Sequence, residues 1–155
     1  MDMPALSDRR YEGVHCHLAI ERPAATIVVV RLEGWDAGEW GDLPMRELGQ
    51  DLARPESLEL FIDARAVRGA TTEVSAEWAR WLAEHRDRFR HVSMLTGSPF
   101  VRLTANFVRR FAELGEVMRI YTDEVGFDAA LARSVAAAAT AGPASPVTSL
   151  TASDR

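Results

Sequence analysis

Residues 26–32, TIVVVRL, form a nearly unbroken run of β-branched apolar side chains. A strand that is apolar on both alternating faces must be covered on both faces, so its sheet sits inside a layered domain. Three more short apolar runs follow: LELFID (58–63), HVSMLTG (91–97) and VMRIY (117–121). The stretches between them carry helical periodicity, and strands that alternate with helices pair in parallel.

Four helices fit this frame. Pro44 stands at a first helical position behind Asp42 or Leu43, Met45, Leu48 and Leu52 make a stripe, and Pro55 ends it. Val74, Trp78, Trp81, Leu82 and Phe89 share one face of a second helix, with Glu73 and Glu77 at its start. After an SPF turn, Phe107, Val108, Phe111 and Leu114 mark a third helix that stops at Gly115. Thr122 or Asp123 caps a last helix, which turns Phe127, Leu131 and Val135 inward.

Ahead of these, Val14, Cys16, Leu18 and Ile20 alternate with His15, His17, Ala19 and Glu21, the period of a half-buried strand. A turn at ERPAA, around Pro23, joins it to TIVVVRL as a hairpin. EGWDAGEWGD (33–42), with three glycines and two tryptophans, reads as a loop. The expected order is ββαβαβαβα, an α/β domain with a mixed, largely parallel five-stranded sheet. Residues 1–12 are expected to be a flexible N-terminus, 13–138 the domain, and 139–155, rich in Ala, Thr, Pro and Ser, a disordered tail.

The composition removes several classes of function. All 18 basic residues are arginine. Without lysine there is neither a P-loop nor Schiff-base chemistry. The net charge of −5 gives no general attraction to nucleic acid. No apolar run approaches the roughly 20 residues of a membrane span. MDMPALSDRR lacks the apolar core of a secretory leader. A single cysteine, Cys16, allows no intrachain disulfide, and a cytoplasmic location is expected.

The element order, with FIDARAVRGATT, SMLTGSPF and VMRIYTDEVGFDAAL at its junctions, resembles the STAS family of anti-sigma-factor antagonists. It looks closest to divergent STAS-like proteins related in fold to CRAL-TRIO lipid-binding domains, and the likeness covers roughly residues 13–136. The resemblance implies a non-catalytic regulatory domain with a protein partner, an anti-sigma factor or a kinase-like regulator. It also implies a phosphoacceptor after the third strand, where family members usually read Asp-Ser-Ser or Asp-Ser-Gly. In the corresponding GATTE, which begins at Gly69, Thr72 takes the acceptor position and Thr71 replaces the usual acidic residue. The CRAL-TRIO kinship implies, as an alternative, a small apolar ligand or lipid.

Ligands of parallel α/β sheets meet the loops at the carboxyl ends of the strands. The stretch from Asp63 to Thr72 and the TGSPF turn containing Ser98 are two such loops. A phosphate on Thr72 would bring a charge of about −1.5 to −2 to free N–H groups at a helix N-terminus. Arg65 or Arg68 could add charge-assisted bonds. Alternatively, Thr71 or Thr72 is simply the helix cap. Asp63 accepts backbone N–H bonds, pairs with Arg65 or Arg68, or serves as a base, although no nucleophile stands at a diagnostic spacing. One of Trp35 and Trp40 covers a core edge, or the two form an exposed aromatic anchor, on a loop whose glycines would let it move as a lid over an apolar pocket.

His15 and His17 share a strand face without further ligands tied to them by spacing, so no metal is expected. Arg80, Arg86, Arg88 and Arg90 alternate with Glu84 and Asp87 as a solvated face. The first strand's alternating face suits pairing with a second copy.

Overall fold

The computed structural model describes residues 6–141. Its core is one six-stranded sheet whose strands lie side by side in chain order. β1 (Arg9–Glu12), β2 (Cys16–Ala24) and β3 (Ile27–Asp36) are successively antiparallel. β4 (Leu58–Ala70), β5 (Phe89–Thr96) and β6 (Met118–Tyr121) continue from β3 in parallel. The crossovers are α1 (Leu43–Leu52), α2 (Thr72–Glu84) and α3 (Pro99–Phe111), and α4 (Glu124–Ala141) closes the described chain.

The apolar run of β3 serves both faces. Val28 and Val30 join Leu18, Ile20, Leu60, Ile62 and Val92 in a core covered by α1, α2 and α3. Ile27 and Val29 face the other way, with Phe61, Leu95 and Phe127 of α4. Phe127 is completely buried, against Phe61 at 5.8 Å and Tyr121 at 5.9 Å between ring centroids. Leu131 and Val135 pack beside it, as the spacing of the last helix implies.

Several boundaries differ from the sequence expectation. The sixth strand is Arg9–Glu12, placed in the N-terminus in advance, where only Tyr11 has the burial that signals a strand. Tyr11 packs on Trp40 at 5.9 Å, and its hydroxyl donates to Glu47 at 3.1 Å. β2 passes through Pro23 because its register shifts between Glu21 and Ala24, and a bulge tolerates a residue with no N–H. Phe89 opens β5 after a 3-10 turn at Arg86–Arg88 and does not continue the stripe of α2. α4 runs to Ala141, three residues into the expected tail, and the remainder of that tail lies outside the described residues.

The two largest corrections shape the functional surface. β3 and β4 outrun β5, pairing Glu33 with Ala66, Gly34 with Val67, Trp35 with Gly69 and Asp36 with Ala70. Ala64 to Ala70 is therefore strand and not loop, and the same holds for Glu33 to Asp36. α3 begins at Pro99, so SPF belongs to it, and of the residues that mark the helix Phe107 and Phe111 turn outward while Val108 and Leu114 are buried. Val101, Ala105 and Val108 face the core in their place.

Candidate functional site

The β3–β4 ribbon delivers the chain into α2 without an intervening loop. Thr71 N–H donates to the Asp36 carbonyl at 3.0 Å, which fixes the last residue before the helix to the end of β3. The Thr71 hydroxyl accepts from Val74 N–H at 3.3 Å, so Thr71 is the cap. Thr72 is the first helical residue and is exposed. Thr71→Ala should cost about 1 kcal/mol of stability, while Thr72→Ala should be close to neutral. Urea unfolding of the two variants side by side checks this division, and equal losses would contradict it.

Thr72 lies on the rim of an open groove of about 520 Å³ between the start of α2 and the outer face of α3. Ala76, Leu103, Phe107 and Arg110 are among its walls. Phe100, Leu103, Phe107 and Phe111 are 55%, 70%, 54% and 60% exposed. Spaced three, four and four residues apart, they form one stripe along the helix. The rings of Phe107 and Phe111 stack at 5.8 Å. Isolated exposed apolar side chains are ordinary, whereas these four form a contiguous row. The sequence held a signal for it, since the apolar residues of 100–111 cover too wide an arc for one contact face.

Beneath the groove, between the sheet, α2 and α3, is an almost wholly apolar cavity of about 80 Å³. It shares Ala70, Ser75, Phe100 and Thr104 with the groove. That is about half the ~150 Å³ of a cavity that takes up benzene. The space suits a branched apolar side chain and is far below the ~300 Å³ at which drug-sized pockets begin.

Asp63 and Arg65 stand apart from Thr72, on the α4 face of the sheet that Phe61 also occupies. Asp63, 5% exposed, accepts from Arg31 Nη1 and from Arg65 Nε, the latter at 3.0 Å. It also takes the Arg65 backbone N–H at 3.2 Å. Arg65 continues to Asp128 at 2.7 Å and Glu124 at 3.6 Å, and Arg31 reaches Glu21 at 3.0 Å. Bonds to Asp128 first, and then to Asp63, hold the Arg65 guanidinium charged well beyond its ordinary range. Of the uses open to Asp63, this is the ion pair and turn acceptor. Arg65 is held between Asp63 and the Asp128 and Glu124 carboxylates of α4, on the face of the sheet away from Thr72. Arg31, the partner missed in the sequence, is 32 residues away from Asp63 and gives no local signal.

The other expected site residues have separate roles. Trp35 lies flat on Gly69, leaving no room for a Cβ there, and remains 42% exposed. It is thus a platform on the ribbon and not part of a hinged lid. Trp40 is the partly buried member of the pair, packed against the core. Arg68 is exposed, with no ion pair among the described residues. Ser98 caps α3, accepting from Val101 N–H at 3.2 Å. His15 precedes β2, His17 is exposed and Cys16 is buried. The structure therefore gathers Thr72, its cap Thr71 and the α3 stripe, and it sets Asp63 and Arg65 apart from them.

No protein-family model and no curated protein sequence matches the chain. Solved structures do. An uncharacterised DUF3478-family protein from Shewanella loihica PV-4, with a SpoIIAA-like fold, superposes with a TM-score of 0.53 at 13% identity, covering 78% of this chain and 98% of that one. The fold is SpoIIAA-like. The anti-sigma factor antagonist SpoIIAA in its unphosphorylated form matches with a TM-score of 0.52 at 17% identity, covering 74% and 96% of the two chains. An anti-sigma factor antagonist from Mycobacterium paratuberculosis gives 0.50 at 16%, covering 76% and 94%. The chain thus has a STAS-like fold. Among the described residues no helix is long and apolar enough to cross a membrane.

Proposed function

We propose that this SpoIIAA-like chain is a non-catalytic regulatory domain that binds a protein partner through the groove between α2 and α3, with phosphorylation of Thr72 ending the complex. The observation that carries the reading is the position of exposed Thr72 on the rim of that groove, beside four exposed apolar side chains of α3. Two of the fold neighbours are anti-sigma factor antagonists, which is the kind of activity such a surface would serve. A phosphate on Thr72 would meet the unpaired N–H groups at the start of α2 and a charge opposite in sign at Arg110 across the groove. That assignment replaces Arg65 with Arg110 as the nearby cation.

The test is a pull-down from the native host with wild type, Thr72→Ala and Thr72→Glu. A partner held at wild-type level by the alanine form and reduced at least tenfold by the glutamate form supports the switch. If the same proteins are recovered equally with all three, the switch is wrong. The cavity of about 80 Å³ supports a second reading only in a reduced form, a small apolar ligand and not a lipid. Denaturing mass spectrometry of the purified chain tests it.

A further inference from the structure

We infer that the groove between α2 and α3 receives an acidic amphipathic helix of the partner, one apolar side chain of which enters the cavity beneath. This rests on the partner-binding reading above and adds the chemistry of what binds.

The shape comes first. The α3 stripe from Phe100 to Phe111 spans about 16 Å at the helical rise, a length that pairs with three turns of a second helix laid into a groove. The groove and the cavity share the walls Ala70, Ser75, Phe100 and Thr104, so the two spaces are neighbours. A branched side chain entering there would remain continuous with a helix covering the stripe.

Charge selects the occupant. α3 carries Arg102, Arg109 and Arg110 and no carboxylate, in a chain whose net charge is −5. None of the three has an ion pair among the described residues. Arg109 and Arg110 lie in the last turn, where the helix dipole favours cations, but Arg102 lies in the first turn, where it does not. Arg102 is therefore explained by neither an internal partner nor its own helix. Arg110 is the one charged side chain among the described residues lining the groove. A second copy docked through the same face would set these arginines against themselves. A bilayer surface is flat, whereas this groove is concave. An acidic helix satisfies both the stripe and Arg110, the one of the three arginines that lines the groove. It also gives a phosphate on Thr72 the correct sign, because the added negative charge would repel it.

Selection from a random-peptide phage library on the wild-type chain tests the inference. The enriched peptides should combine apolar residues at i, i+3 or i+4, and i+7 with an excess of Asp and Glu on the flanks. A synthetic copy of one, followed by fluorescence anisotropy, should bind at least tenfold more weakly to Arg102→Glu/Arg110→Glu, to Phe107→Ser and to Thr72→Glu. All these positions are exposed, and thermal unfolding of each variant confirms that the fold is retained. No enrichment, enrichment without acidic excess, or affinity unchanged in the arginine variant overturns the inference. So does sedimentation of the wild type, but not the variants, with phosphatidylglycerol-containing vesicles. A host partner lost by Thr72→Glu but kept by Arg102→Glu/Arg110→Glu would leave the proposed function standing and remove only the acidic helix.

Discussion

Phe127→Ala is expected to release α4 from the sheet and to lower the unfolding free energy by about 3–5 kcal/mol. Phe127 is the only fully buried residue of α4, wedged between Phe61 and Tyr121. The other contacts of the helix are weaker, among them a hydrogen bond from Ser134 Oγ to Glu59 at 3.1 Å. Leu131 and Val135 are half-buried, Val125 is 81% exposed, and the C-terminal half is mostly alanine. The bonds from Arg65 to Glu124 and Asp128 involve carboxylates more than half exposed, and pairs of that kind contribute about 0–1 kcal/mol each. The expected signature is a lower urea midpoint together with lost amide-exchange protection across 124–141, while α2 and α3 keep theirs. A loss under about 1 kcal/mol with α4 still protected would show that the helix is anchored elsewhere.

Asp63→Asn should cost about 3 kcal/mol, because it keeps the shape and removes the charge that two guanidinium groups share. The carboxylate is 6% exposed, and Arg31 and Arg65 are 36% and 28% exposed as side chains. Both cations would lose their shared counter-charge at the edge of the core, although each keeps a second carboxylate, Glu21 or Asp128. That second partner is why the loss should fall at the lower end for broken buried pairs. A double-mutant cycle with Arg65→Met separates the pair from its surroundings, with a coupling of about 1–3 kcal/mol expected. Partner binding by Asp63→Asn should match wild type, since Asp63 and Thr72 belong to different faces. A binding loss without a stability loss would instead place Asp63 in the interface.

The two residues show what was legible in advance. Phe127, Leu131 and Val135 announce their inward face through spacing alone, because one helix face repeats every three or four residues. Asp63 is visible as a carboxylate ending an apolar strand, but Arg31 is invisible as its partner, since cross-strand neighbours have no fixed separation in sequence. The ribbon of Glu33–Asp36 with Ala64–Ala70 reads as two loops in the sequence because glycine, aspartate, glutamate and alanine are poor strand signals. Those residues pair because β3 and β4 continue past the end of β5, which is a property of the sheet. The orientation of α3 is hidden in the sequence for a related reason. Its apolar arc is wide enough to face the core in two ways, and periodicity cannot choose between them.

The chain's own residues determined the layered α/β architecture, the helix caps and the position of Thr72 at the start of a helix. Each follows from local chemistry: β-branched runs, proline and threonine at helix starts, and the periods of strand and helix. Tertiary structure alone decided which face of α3 is left to solvent, that Arg65 belongs to α4, and that Thr72 and Arg110 border the same groove. Those are distances between elements, set when the sheet's register and the packing of α2 against α3 bring remote residues together.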